Sequence, residues 1–406
     1  LRFEVNNPAK LLPVRFKIKS STNTLANSLK KAAINSGAAV VGIGNRERME
    51  DAPPSGDPGY LLPSTRSIIS FAIPFNRANL RNFFGKKDWR VFGDEQKSII
   101  QKLYLIEDIM VNILLAGGNE ALGVNINCVY RPETGTAGFL EMTHFVPDFS
   151  HQYGAVAAGL GRLGLSGNLL TPEHGAAVLL GTVLTSAVLE PDPLCAENPC
   201  DRCGICAVLC PVKMMDPKKT VSKGIAGVVE EIALRRPHSC CWIGCGDYHG
   251  LSADGTWSNW SPYRVDYPLP FDKIRLDARL VELRKADPES YARPNPYTDY
   301  RAVTFDPDWS FSATCGNCAN VCWKDREDRE ENKRLVIEGG VVVLNADGTR
   351  QATQEETVEL VTQFGSRVAV SWSQYRKLKA GSGTRQEFRG HLSKDKKVLE
   401  YLAKHI

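Results

Sequence analysis

"PCDRCGICAVLCPVKMM", Pro199 to Met215, is the stretch from which the rest of this chain is read. It sets Cys200, Cys203, Cys206 and Cys210 at C-x2-C-x2-C-x3-C spacing, with Pro211 behind the last. In the bacterial two-cluster run, three such thiolates hold one [4Fe–4S] cluster and the fourth reaches another. Two-residue turns bring three thiolates to three corners of a cubane, and local chain geometry cannot close the fourth. A second run, Cys315-x2-Cys318-x3-Cys322, supplies the exchange. Cys322 is therefore expected with Cys200, Cys203 and Cys206 at cluster one. Cys315, Cys318 and Cys210 are expected at cluster two, completed by Cys240, Cys241 or Cys245. Zinc ribbons use two C-x2-C pairs rather than a triplet of this kind.

The cysteine distribution supports ligation over cross-linking. Of 12 cysteines in 406 residues, all but Cys128 lie between Cys195 and Cys322, whereas a disulfide scaffold spreads them. Cys128 and Cys195 stand outside the two runs and read as ordinary thiols. The length suggests two or three packed units. With 43% hydrophobic and 24% charged residues the composition is that of a globular protein. A net charge of +4 and the lack of a long basic tract give no sign of a nucleic-acid partner. No apolar run approaches the roughly 20 residues that span a bilayer. The sequence begins at Leu1 rather than Met, compatible with a removed leader.

Around the cysteines the chain reads as a mixed α+β protein. "SSTNTLANSLKKAAINSGAAVVGIG" is a capped amphipathic helix running into a strand, and Thr65–Phe75 is a second strand. Asp94–Gly118 carries apolar residues at helical spacing and ends on a glycine pair. His151–Gly164 reads as a small-residue helix, followed by a strand pair around "AAVLLGTVLTSAVL". The span from about 240 to 311 is an aromatic insertion holding one helix, "DKIRLDARLVELRKAD". "WKDREDREENKRL" is a charged helix, and "GGVVVLNADGTRQAT" a hairpin turning at Asp347-Gly348. The C-terminal part reads as polar and helical.

The block "YGAVAAGLGRLGLSGNLLTPEHGAAVLLGTVLT" (Tyr153–Thr185), leading into "PCDRCGICAVLCP", resembles the reductive dehalogenase and epoxyqueuosine reductase superfamily. The resemblance covers about Val124 to Cys322. It implies a nitroreductase-like corrinoid-binding core with an appended bacterial-ferredoxin-like module of two [4Fe–4S] clusters. The boundaries become 1–123 for the N-terminal region, 124–192 for the corrinoid-binding core, 193–330 for the cluster module and 331–406 for the C-terminal region. Glycines 159, 161, 164 and 167 would let backbone approach the flat ring of a cobalamin. Gly164, Ser166, Gly167, Asn168, Leu169 and Thr171 become the expected corrinoid-binding residues, with hydroxyl and amide groups toward the ring's side chains. Family members often place an aromatic residue three positions after the last ligand of cluster two, which favours Cys245 (Tyr248 follows). Where the family usually has Cys-Pro, this chain has Cys322-Trp323. "DYHG" at 247–250 begins like the Asp-x-His-x-x-Gly cobalt-ligating motif, but Ser252 stands where its glycine is required, so His249 reads as a surface or cluster-shell residue.

Chemistry of this kind needs a proton donor near the cofactor. "HFVPDFSHQYG" offers Asp148 first, then Tyr153 and His151, with N-capping by Asp148 or Ser150 as the competing role. Where respiratory dehalogenases carry an Arg, this chain has Leu179. Trp242, Trp257, Trp260, Tyr263 and Tyr267 would either roof an apolar substrate cavity or form the insertion's own core. The resemblance implies an oxidoreductase that dehalogenates a small organohalide, fed by a low-potential electron donor, without a nucleic-acid partner. It further implies anaerobic respiration, twin-arginine export to the outer face of the cytoplasmic membrane, and a small membrane anchor protein. The alternatives are cytoplasmic epoxyqueuosine reduction in tRNA, or an electron-transfer subunit without corrinoid.

Overall fold

The computed structural model describes residues 22–126, 147–236, 238–245, 249–253, 255–262, 315–344, 350–353, 357–361 and 367–371. Cys128, Tyr263, Tyr267 and the "DKIRLDARLVELRKAD" segment lie outside them. Helix α1 (Thr22–Asn35) leads into β1 (Val40–Asn45), as the amphipathic pattern and following glycine indicate. β2 (Ser67–Pro74) is buried on both faces, with one exception at its last residue. Its side chains alternate: Ile69, Phe71 and Ile73 enter one apolar cluster, Ile68 and Ala72 the other. After α2 (Arg77–Phe84) comes α3 (Arg90–Ala116), 27 residues long. It buries Ile99, Leu103, Ile106, Met110 and Leu114 at spacings of three and four.

β3 (Ala121–Gly123) is an edge strand. α4 (His151–Ala157) stops well before Gly164, because Gly159 turns at φ +78° and the chain then forms the ribbon β4 (Arg162–Leu163) and β5 (Leu169–Leu170). The strand pair expected next is one continuous strand, β6 (Val178–Thr185), paired antiparallel with β2 along its whole length. The central sheet runs β1-β2-β6-β3, antiparallel throughout. Helices α1 and α3 fill one face and α4 the other.

The cysteine module follows. One-turn α5 (Ile205–Val208) is succeeded by a hairpin of β7 (Met215–Ile225) and β8 (Val228–Arg235), then α6 (His238–Cys245). The hairpin tip is pinned to the core: the Asp51 carboxylate accepts from the N–H groups of Ala226 and Gly227 at 2.8 and 2.9 Å. One-turn α7 (Asn317–Asn320) precedes α8 (Arg326–Glu338). β9 (Val341–Leu344) and β10 (Arg350–Thr353) form the expected hairpin. β11 (Thr357–Val361) and β12 (Arg367–Ser371) form another, so the described C-terminal residues are strand where the polar composition suggests helix.

The described part of the insertion belongs to the main core. Trp257 and Trp260 are buried in the cluster that holds Phe83, and Trp260 Nε1 donates to the Phe83 carbonyl at 2.8 Å. Ser258 ties the same segment to β9, its Oγ accepting from Val342 N–H. These two tryptophans therefore pack rather than roof a substrate cavity. His249 is buried at 2% exposure, not on the surface.

Candidate metal centre

Both cysteine runs build the same local device. Gly204 at φ +76° follows Cys203, and Gly316 at φ +116° follows Cys315. Each is the left-handed N-cap of a one-turn helix that carries the next cysteine, Cys206 on α5 and Cys318 on α7. Only glycine adopts that conformation without strain. Asn317 Nδ2 donates to the Leu209 carbonyl at 3.2 Å, joining the two turns.

The first run and Cys322 meet around one cavity. A partly open cavity is lined by Cys200, Cys203, Cys206 and Cys322 with Leu165, Ser166, Asp201 and Arg329 among its walls. The four thiols come from segments more than a hundred residues apart, as the crossover spacing requires. They surround a space instead of converging on a point: among the described residues, no three His, Cys, Asp or Glu side chains close on a single ion. Such walls suit a polyatomic cluster rather than one zinc atom.

The second set lies alongside. Cys210, Cys241, Cys315 and Cys318 influence one another's ionisation, which places them within short range. On α6, Cys241 Sγ and Cys245 Sγ stand 3.6 Å apart, one helical turn from each other. The Cys245 thiol also hydrogen-bonds Cys315. Cys240 points elsewhere: it is fully buried and donates to the Val212 carbonyl at 3.5 Å. The three-way choice left open by the sequence thus narrows to Cys241 or Cys245.

The electrostatics call for a cation-rich partner. Burial pushes the Cys206 thiol up to about 12, and the neighbouring sulfurs of Cys318, Cys322, Cys200 and Cys203 add to the effect. Cys322 is likewise pushed up to about 12 and Cys318 to about 11, both chiefly by burial. Cys315 is pulled down to about 6, mainly by the hydrogen bond from Cys245 and then by backbone N–H groups of Asn317 and Gly316. Crowded buried thiols resist ionisation until iron supplies positive charge. N–H groups already aim at sulfur: Leu165 N–H lies 3.3 Å from Cys200 Sγ and Met214 N–H 3.2 Å from Cys210 Sγ. The chemistry of this donor set, two groups of crowded buried thiols drawn from both runs, would suit iron–sulfur clusters.

The glycine-dense segment behaves differently from the expectation. A Cβ on Gly161 would overlap the Leu170 carbonyl oxygen, and one on Gly159 the Pro193 carbonyl oxygen. At Gly164 it would stand 2.6 Å from Leu170 Cδ1 and 3.3 Å from Cys200 Sγ. Gly167 turns at φ +78° beside Arg235. The tight approaches at Gly159, Gly161 and Gly164 are to other parts of the chain. The polar groups have protein partners too: Thr171 Oγ1 caps the turn to Gly175, Ser166 Oγ accepts from Asn168 N–H, and Asn168 Nδ2 lies 3.7 Å from Cys318 Sγ. Leu169 is core. On this segment the described contacts of these residues are with protein. They form a wall of the cluster module, reaching from Cys200 to Cys318.

The proton-donor candidates separate. His151 is 1% exposed; Nδ1 pairs with Thr182 Oγ1 at 2.9 Å and Nε2 with the Asn125 carbonyl at 3.0 Å. Burial pulls it down to about 4, so it is a neutral strut between α4 and the sheet. Capping of α4 falls to Ser150, whose Oγ accepts from Tyr153 N–H at 3.4 Å. Asp148 is half-buried ahead of that cap, and Tyr153 packs partly buried near Gly56.

Three residues near the cysteines take roles that the sequence did not give them. Trp323 replaces the usual proline and is 1% exposed, its ring flanked by the Arg77 and Arg81 guanidiniums at 4.9 and 5.0 Å. Arg329 and Glu230 are buried ionic groups inside stretches whose composition is that of a solvated surface.

No family model matches the chain. Among curated proteins, the epoxyqueuosine reductase of Synechococcus sp. (strain RCC307) is 46% identical over 57 residues, 14% of this chain and 18% of the relative. That of Staphylococcus aureus (strain NCTC 8325 / PS 47) is 25% identical over 169 residues, 39% of this chain and 38% of the relative. The matches thus span well under half the length of those relatives. A solved reductive dehalogenase, described as bearing on B12-dependent dehalogenation, aligns with 84% of this chain and 42% of its own, at TM-score 0.44 and 15% identity. An epoxyqueuosine reductase solved with a tRNA stem loop aligns over 48% and 53%, at TM-score 0.33 and 19% identity. All four are reductases. Over part of its length the chain is similar to curated epoxyqueuosine reductases.

Proposed function

We propose that this chain is an oxidoreductase in which two [4Fe–4S] clusters carry electrons, one at a time, to a reaction centre. The observation that carries this reading is the cavity walled by Cys200, Cys203, Cys206 and Cys322, with the second thiol set beside it. A corrinoid is the proposed acceptor, supported by the resemblance of Tyr153–Thr185 and not by the glycines of that segment. Bound cobalamin would supply a cobalt centre reducible by low-potential donors. The chain's own part is to hold the clusters in a buried, sulfur-rich setting and to deliver a proton. Asp148, then Tyr153, are the proposed donors, since His151 is committed to the sheet.

For the substrate we propose a small organohalide. Weak net charge and strands in the described C-terminal residues support this over a large polyanion. Outer-face location, a small membrane anchor and a low-potential electron donor go with it. Among the described residues no helix is long and apolar enough to cross a membrane. The second reading, epoxyqueuosine reduction in tRNA, draws support from the curated relatives and sets aside the expectation that no nucleic acid binds.

The test is an anaerobic preparation with metal analysis and two assays. About eight irons per chain are expected from two such clusters, together with cobalt. Halide release from chlorinated substrates under reduced viologen supports the first reading. Conversion of an epoxyqueuosine-bearing stem loop, with no halide released, replaces it with the second.

A further inference from the structure

We propose that Arg329 is a contact of the first cluster: its guanidinium edge faces cluster sulfur and favours the cluster's reduced form. The inference rests on the two-cluster reading above. Arg329 lines the same cavity as the four thiols and is 4% exposed. Its Nη1 donates to the carbonyls of Trp323 and Lys324, both at 3.0 Å, and its Nη2 to Asp201 Oδ2 at 2.6 Å. Its Nε is buried with no protein hydrogen-bond partner. A buried N–H left without an acceptor forfeits its hydration and gains nothing in return, so such groups persist where a ligand completes them. Cluster sulfurs accept such hydrogen bonds, and those bonds help set cluster potentials.

Two further facts argue that the residue is placed for the cavity rather than for its helix. Arg329 lies in the opening turn of α8, beside Glu327 and Asp328. A cation there opposes the helix macrodipole. Its partner Asp201 is shared with Arg326, which approaches to 3.5 Å. Arg326 also pairs with Glu330 at 3.9 Å, and of these four charged groups Arg329 is the buried one. Reduction adds one negative charge to a cluster held by four thiolates, and a buried cation nearby offsets it. The helix positions Arg329 by the same two carbonyls that end the second cysteine run.

The experiment is a redox titration of the full, anaerobically purified chain, followed by the electron paramagnetic resonance of its reduced clusters. Wild type, R329Q, R329K and D201N are compared. R329Q is expected to move one cluster to lower potential and leave the other in place. R329K, which keeps the charge and loses Nε, is expected between R329Q and wild type. D201N, which removes an anion, is expected to move the same cluster upward. An R329Q variant that keeps both clusters at wild-type potentials overturns the inference, because a purely structural brace would change thermal stability and not potential. Should R329Q fail to assemble, R329K decides: a downward shift of one cluster supports the assignment, and unmoved potentials overturn it. A wild-type chain without iron overturns the two-cluster reading and this inference together, whereas unmoved potentials overturn this inference alone.

Discussion

The Glu230 carboxylate accepts a hydrogen bond from Arg162 Nε at 2.5 Å, and the carboxylate side chain is only 2% exposed. Its Oε1 also receives Leu163 N–H at 3.3 Å, and its Oε2 the Asn198 amide at 3.0 Å. Asn198 in turn accepts from Cys200 N–H at 2.9 Å. One acid on β8 therefore fixes both the β4 turn and the loop that presents the first cysteine. Removing one partner of a buried pair strands the other charge. Glu230→Ala is expected to cost about 3 kcal/mol, read from the urea midpoint. The same variant should lose iron to a chelator faster than wild type, one cluster going first.

Gly161 and Gly175 have a second, sharper prediction. A Cβ at Gly175 would overlap the Cys322 carbonyl oxygen, where Ala176 N–H hydrogen-bonds at 2.7 Å, and the residue itself sits at φ +63°. Gly161 has the Leu170 carbonyl against it. Neither neighbour is a flexible side-chain end, so the backbone must move. Gly161→Ala and Gly175→Ala are each expected to destabilise by about 3 kcal/mol or more. The check is that the loss appears equally in cobalamin-free protein. A glycine needed for ring contact would show its effect in cobalamin affinity instead.

His151 gives a pH dependence whose sign follows from its burial. Its ordinary value of 6.5 falls to about 4 in the folded protein. Between those values the unfolded chain binds a proton that the folded chain refuses, so stability is full above pH 6.5 and falls as pH drops toward 4. The total loss is about 3 kcal/mol, since each pH unit between the two values contributes about 1.4 kcal/mol. His151→Gln should flatten the slope of the denaturation midpoint across this acid range, below pH 6.5, relative to wild type. An unchanged slope would show that the imidazole is not what resists acid.

What could be read from the sequence was what spacing controls locally. Cys-Gly pairs, cysteine intervals and the alternation in "SIISFAIP" each act within a few residues, so the gathering of the cysteines, β2 and α3 were legible. The exchange of Cys322 into the first set was legible because three local thiolates cannot close a cubane. The glycines of 159–167 were not, since what a glycine admits depends on a neighbour remote in sequence, such as Pro193 beside Gly159. The β7–β8 hairpin escaped because its strand "MDPKKTVSKGI" is mostly exposed and polar, and what orders it is Asp51, far upstream. Glu230 and Arg329 look like surface charges in sequence, and each has an ionic partner more than sixty residues away.

The last prediction concerns α6, where Cys241 and Cys245 share one helix face and Cys240 is turned about 100° away. Because both sulfurs reach the second thiol set, either can complete it when the other is removed. Cys240→Ser is expected to keep about eight irons per chain, with some loss of stability from its buried site. Cys241→Ser and Cys245→Ser are each expected to retain both clusters, the true ligand's variant showing an altered resonance signal for cluster two. The double variant has no sulfur left on that face, and about four irons should remain, all in the first cluster. Loss of cluster two in one single variant identifies that cysteine as the sole ligand and removes the idea of interchange. Retention of both clusters in the double variant would move the eighth ligand off α6 altogether.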